Sequence, residues 1–329
     1  MLSPTLRCGD TVGIISPSTP ISAVCPKRYN RGISYLKSRG FKVKEGILAG
    51  RSDFYRSGTI EERAEEINSF IRDKEVRCIM SSIGGMNSNS LLPYLDYEAL
   101  AKDPKVIVGY SDVTALLLGI YAKTGITTFY GPAQTASLGE FPPFVDETFE
   151  SFMDIAGKSI SLPYTYPTPQ NWTEEFIPWE TQDRGKTGIS NELITASGGK
   201  AEGRLIGGNL NTMDCIIGTP FMPQIKEGDI LFIEDSLKDI SDEERSLSHL
   251  KLSGILNKVG GIILGKCEGF DDRHSGRFPE DVLLEILGKP HIPILSRFDC
   301  GHTHPMLTLP IGAKIKLDAD KKEVTIIEY

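Results

Sequence analysis

The stretch Val106-Ile-Val-Gly-Tyr-Ser-Asp-Val-Thr-Ala-Leu-Leu-Leu-Gly-Ile-Tyr121 decides how the chain is read. A β-branched run stops at Gly109, Ser111 and Asp112 follow at once, and a run of good helix formers begins. A serine on a sharp strand-to-helix turn is pushed out of the sheet, beside the first backbone amides of the helix. That is the setting of a nucleophile elbow, an exposed Oγ next to donors that can hold an oxyanion. A plainer reading makes Ser111 or Asp112 an N-cap, for which both residue types are preferred. The second glycine of the usual G-x-S-x-G elbow is replaced by Val113, so this stretch alone does not separate the two readings.

Outward from this turn, residues 10–132 alternate between strand and helix patterns. Thr11-Val-Gly-Ile-Ile-Ser16 reads as a strand and 27–39 as a helix. Phe41-Lys-Val-Lys44 reads as a strand, and Thr59-Ile-Glu-Glu62 is a capping box opening a helix. Residues 76–82 form a third strand ending at Gly84-Gly85, followed by a helix near 89–95, the Val106 strand and a closing strand at 126–130. Such alternation predicts βαβ units and a mainly parallel sheet, whose site lies beyond the carboxyl ends of its strands. Gly84-Gly85 and Ser111 both stand at such ends.

Residues 1–160 therefore read as an N-terminal α/β domain carrying the candidate nucleophile. Residues 161–200, rich in proline and polar residues, read as a linker and active-site loop holding both tryptophans, Trp172 and Trp179. Residues 201–329 read as a second domain. It holds Gly207-Gly-Asn-Leu210 leading into a helix, strands at 229–235 and 261–264, and a terminal hairpin turning at Asp318-Ala-Asp-Lys-Lys322.

The 329 residues suffice for two domains, and 40% hydrophobic with 24% charged residues is ordinary globular composition. A net charge of −8 without a basic block argues against a nucleic acid polymer as partner and leaves a single nucleotide open. The N-terminus lacks a signal-peptide pattern and no run has membrane-span length. The six cysteines are scattered without C-x-x-C pairs. Together these features predict a cytoplasmic protein with reduced thiols and no membrane association.

Three acid–base candidates stand at element ends: Ser111, Glu234, and His302 in Phe298-Asp-Cys-Gly-His-Thr-His-Pro305. A serine needs a base to take its proton, and the base needs a carboxylate to fix its tautomer and offset its charge. Zinc held by Asp299, Cys300, His302 and His304 is an alternative, weakened by the lack of a second ligand cluster at a recognisable spacing. Cys300 as a thiol nucleophile is another, although a cysteine there is more often buried and inert. Gly84-Gly-Met-Asn-Ser-Asn89 could cradle an oxyanion or phosphate through backbone amides, or be a bare turn. An indole on a polar loop is a good stacking surface for a base.

With these residues assembled, the chain resembles the serine LD-carboxypeptidase family, and within it the branch of microcin C immunity proteins. The resemblance runs nearly end to end. It rests on Gly9-Asp-Thr-Val-Gly13 with Ser16-Pro17, Ile83-Gly-Gly-Met-Asn-Ser-Asn-Ser-Leu-Leu-Pro-Tyr-Leu-Asp96 and Gly109-Tyr-Ser-Asp-Val-Thr114. It continues through Gly207-Gly-Asn-Leu210, Leu231-Phe-Ile-Glu-Asp235, Gly301-His302 and Leu309-Pro-Ile-Gly312.

The resemblance implies a Rossmann-like or flavodoxin-like N-terminal domain with a parallel sheet, plus a smaller β-rich α/β C-terminal domain carrying Glu234 and His302. It implies Ser111 as nucleophile, His302 as base, Glu234 as orienting acid, and the amides of Gly85 and Asp112 as oxyanion hole. A homodimer without metal or cofactor is also implied. Two substrate classes follow. One is an acidic aminoacyl- or peptidyl-nucleotide, with Trp179 stacking on the base and Lys238 meeting the acidic side chain; Asn87 and Trp172 are further contact candidates. The other is a short murein tetrapeptide. A non-catalytic nucleotide-binding module is the reading of another class.

Overall fold

The structure is a computed structural model and describes residues 4–329, so the first three residues of the N-terminal stretch read above lie outside it. Two sheets organise the chain. In the first, the parallel strands Lys42–Glu45, Thr11–Ile15, Val76–Ser81, Val106–Gly109 and Thr128–Tyr130 lie side by side in that order. Numbered along the chain this order is 2-1-3-4-5, the flavodoxin-like arrangement. The helices Pro26–Ser38, Ile60–Arg72, Thr114–Thr124 and Phe144–Ala156 accompany it. The capping box at Thr59 and Glu62 forms with both of its reciprocal hydrogen bonds.

The second sheet has eight strands. Its parallel centre is Lys200–Asn209, Ile230–Glu234, Gly261–Gly265 and Ile294–Phe298, flanked by antiparallel strands that include the terminal hairpin Lys314–Asp318 and Glu323–Glu328. The chain is thus a mixed α/β protein of two domains.

Strand exchange ties the parts together. Leu309–Ile311, read above within the 201–329 unit, pairs antiparallel with Thr128–Tyr130 and closes the edge of the first sheet. The 161–200 segment, read as a linker, supplies Tyr164–Thr165 to one edge of the second sheet and Ile194–Ser197 to the other. Ladder hydrogen bonds recruit these short runs, and no local periodicity announces them.

The helix Thr114–Thr124 shows why its sequence is apolar on every side. Each residue from Thr114 to Ile120 is buried, because the helix packs against both the first sheet and the strand Lys200–Asn209. Ser111 sits at its mouth, where the carboxyl ends of strands from both sheets converge.

Candidate active site

Neither Ser111 nor Asp112 caps the helix that follows them. Ser111 has φ 62°, the left-handed conformation that a side chain adopts only at a cost. The strained turn places its Oγ 3.0 Å from His302 Nε2. His302 Nδ1 lies 2.7 Å from Glu234 Oε2. With Nδ1 donating to the carboxylate, Nε2 is left to accept the serine proton.

Two glycines permit this approach. A Cβ at Gly301, whose φ is +119°, would fall 2.1 Å from Glu234 Oε2. A Cβ at Gly84 would fall 2.9 Å from the Ser111 Cβ. Only bare backbone brings the histidine loop against the acid and the glycine turn against the serine.

Glu234 ends its strand fully buried. Burial alone would raise its carboxyl, but the nearby His302 charge and hydrogen bonds from His302, Tyr130 and Asn209 outweigh this and hold it low. His302 shows the converse. Burial disfavours the imidazolium, but Glu234 overrides it and Glu268 adds to the effect, raising the imidazole above its ordinary value. Proton transfer from Ser111 to His302 is favoured by this environment.

The Asp112 side chain, which the plainer reading made a candidate cap, has a different task. Its buried carboxylate accepts from the N–H groups of Asn87 at 3.2 Å and Ser88 at 3.0 Å, and the Ser88 hydroxyl donates to the Asp112 carbonyl at 2.6 Å. The glycine turn is thereby fastened to the serine turn. Among the described residues the backbone N–H groups of Gly85 and Asp112 have no acceptor. The Asp112 nitrogen lies 3.1 Å from where a Gly84 Cβ would stand. Both amide donors are thus free: Asp112 follows Ser111 in the chain, and Gly85 lines the same cavity as Ser111.

A cavity of about 590 Å³ opens on these groups. Ser111, His302, Gly84 and Gly85 form its floor, with Trp179, Arg28, Lys186, His304 and Glu268 in its walls. The loop around Trp179 is fixed over it. Thr173 and His304 exchange backbone hydrogen bonds, Lys27 N–H donates to Glu180, and the Glu174 carboxylate accepts from Gly269 N–H.

Other expected contacts lie elsewhere. The Asn87 side-chain oxygen is occupied by Ser18 at 2.9 Å and Arg63 at 2.8 Å, so this residue shapes the glycine turn and is absent from the cavity wall. Trp172 lines a separate cavity with Lys266, whose ammonium stands 5.2 Å from the indole centroid. A two-residue strand pairing with Ile189–Ser190 holds it there. Lys238 follows the lining residues Ser236 and Leu237 without lining the cavity, and its charge acts on Asp235 and Glu243. Asp299 pairs with Lys266 and accepts from Asn191. Cys300 is buried, and burial together with Glu234 pushes its thiol far up. Among the described residues no group of three His, Cys, Asp or Glu is placed to hold a metal.

The sequence reading missed Tyr130. Fully buried, its hydroxyl donates to Glu234 Oε1 at 2.5 Å and accepts from Ser111 N–H at 3.2 Å. It missed Asn209 too, whose Nδ2 is 3.1 Å from Glu234 Oε1. Register places both: Tyr130 pairs with Gly109 and Asn209 with Glu234.

Family models for the LD-carboxypeptidase N-terminal domain and C-terminal domain match residues 12–131 and 202–317. The chain belongs to the LD-carboxypeptidase family. It is accordingly an enzyme of the serine carboxypeptidase and amidase type. A Vibrio cholerae member is 56% identical over 315 residues, covering 96% of this chain and 94% of its own. The Escherichia coli microcin C7 self-immunity protein MccF is 52% identical over 330 residues, covering 100% of this chain and 96% of its own. The MccF structure in complex with aspartyl sulfamoyl adenosine superposes with a TM-score of 0.97 at 51% identity, covering 100% of this chain and 99% of that one. The MccF structure shares the two-domain α/β architecture described above.

Proposed function

We propose that the chain is a Ser-His-Glu hydrolase that cleaves the amide between an acidic aminoacyl group and a nucleotide-linked nitrogen, detoxifying compounds of the microcin C type. Ser111 Oγ attacks the carbonyl carbon while His302 Nε2 takes its proton. The oxyanion is held by the Gly85 and Asp112 N–H groups, and Glu234 keeps the imidazole in its tautomer and offsets its charge. His302 returns the proton to the leaving nitrogen, which departs with the nucleotide. Water, deprotonated by His302, then attacks the acyl-serine ester and frees the amino acid and Ser111.

The observation that carries the substrate class is Trp179 in the wall of the cavity that holds Ser111 and His302. An indole there offers a face to a purine. MccF, alike over its whole length, has been solved with aspartyl sulfamoyl adenosine and with glutamyl sulfamoyl guanosine, two acidic aminoacyl nucleosides. Lys238, just beyond the lining residue Ser236, is the cation assigned to the acidic side chain. The reading includes a cytoplasmic homodimer working without metal or cofactor. Six free thiols accord with a reducing compartment.

Hydrolysis of aspartyl sulfamoyl adenosine and of a murein tetrapeptide, measured side by side, tests this. Faster release of aspartate than of D-alanine supports the nucleotide reading. Release of D-alanine alone would make the chain a murein tetrapeptide carboxypeptidase instead.

A further inference from the structure

Beside Trp179 the cavity wall carries a charge cluster that the reaction scheme above leaves unused. Arg28 and Lys186 share one carboxylate, Glu140, at 3.1 and 3.6 Å. All three side chains are buried: 0% of Arg28, 0% of Glu140 and 4% of Lys186 is exposed. Two cations thus share the Glu140 carboxylate beside the cavity that both line, and Glu268, in the same lining, acts on Lys186 as well as on His302.

The donors are also unspent. Of the five N–H bonds of a guanidinium, Arg28 uses four, on Thr135 O, Gln182 Oε1, Ala136 O and Glu140. Among the described residues the Lys186 ammonium has one long ion pair, with Glu140. His304, in the same wall, has a buried Nδ1 with no hydrogen-bond partner among the described residues. The nearby Lys186 and Arg28 charges add to burial in keeping this imidazole neutral, with one N–H to donate, and Nδ1 is the donor in the tautomer that carries the proton there. On the His302 side Glu268 supplies the opposite charge. The wall is thus basic toward Trp179 and acidic toward His302.

Position narrows the ligand. The Arg28 guanidinium lies 4.5 Å over the Trp179 ring, and His304 stands two residues from His302. The cluster therefore lines the same cavity as the indole and the nucleophile. We propose that Arg28, Lys186 and His304 form an oxyanion subsite that holds the phosphoryl or sulfamoyl group joining a nucleoside to the scissile amide. This rests on the nucleotide reading for the identity of the ligand. The subsite itself is testable without turnover.

The test is calorimetric titration of the full chain with AMP and with adenosine, comparing wild type, Lys186→Met and Lys186→Arg. The wild type is expected to prefer AMP by about tenfold or more, the scale of a charge-assisted contact. Lys186→Met should lose most of that preference and bind adenosine within about twofold of wild type, whereas Lys186→Arg should keep it. Removing the lysine leaves Arg28 and Glu140 as a balanced pair, so the fold should hold. The wild-type titration decides even if the Met variant does not fold. No AMP preference in the wild type, a preference surviving in Lys186→Met, or equal loss of both ligands overturns the subsite. An AMP preference governed by Lys186 in a protein that hydrolyses no aminoacyl nucleoside would keep the subsite and overturn the hydrolytic reading.

Discussion

The Tyr130 hydroxyl donates to Glu234 Oε1, leaving Oε2 to His302 Nδ1. The same hydroxyl accepts the N–H of Ser111. One side chain thus braces the acid and the strained nucleophile turn together. Tyr130→Phe removes a hydrogen bond to a charged group, worth about 1.5–3 kcal/mol. It should lower kcat by about tenfold or more with KM little changed. Freed of this donor, Glu234 becomes the stronger base toward His302. The acid limb of the pH–rate profile should therefore move to higher pH, which simple loss of stability would not produce.

Asp112 should matter through its carboxylate as well as its amide. Asp112→Ala leaves the Ser88 N–H without its acceptor, a cost of about 1–3 kcal/mol while it stays buried, and leaves the Asn87 N–H only Ser18 Oγ at 3.3 Å. Because that carboxylate fastens the turn bearing Gly85, kcat should fall together with the melting temperature. Asp112→Asn, which keeps an acceptor oxygen, should retain most of both. Equal losses in the two variants would contradict the anchoring role.

The pH dependence has a definite sign. His302 must be neutral to accept the serine proton, and its folded-state pKa is raised above the ordinary 6.5 because Glu234 and Glu268 outweigh burial. Activity is therefore absent at low pH and rises through a midpoint above 6.5 in kcat/KM. In Glu234→Gln burial dominates, so the midpoint should fall while kcat drops sharply. An unshifted midpoint in that variant would contradict the pairing.

Substrate choice should depend on Trp179 and Lys238 separately. Base stacking is worth about 1–3 kcal/mol, so Trp179→Ala should weaken aminoacyl-nucleoside turnover by roughly tenfold and leave a murein peptide unaffected. Lys238→Ala should penalise aspartyl over neutral aminoacyl substrates. Trp172→Ala should do little, since Trp172 lines the other cavity.

The parts of this site readable from sequence were those carried by local pattern. Gly109-Tyr-Ser-Asp announced a strand-to-helix turn, Glu234 closed a strongly apolar strand, and Gly301-His302 followed another. What escaped depends on pairings distant in sequence. Tyr130 meets Glu234 across 104 residues, and Asp112 serves the backbone of Ser88 and not its own helix. Asn87, a contact candidate by resemblance alone, is held by Ser18 and Arg63, partners 69 and 24 residues away that no local pattern reveals. The same holds for Leu309–Ile311, whose place in the first sheet follows from the free edge of Thr128–Tyr130.

The most direct test of the account is rapid quenching of the enzyme with aspartyl sulfamoyl adenosine, followed by peptide mapping by mass spectrometry. An aspartyl ester on the Ser111 peptide, formed and lost at rates that account for turnover and absent from Ser111→Ala, is the predicted result. Steady hydrolysis by Ser111→Ala, or an acyl group on a residue other than Ser111, would contradict it.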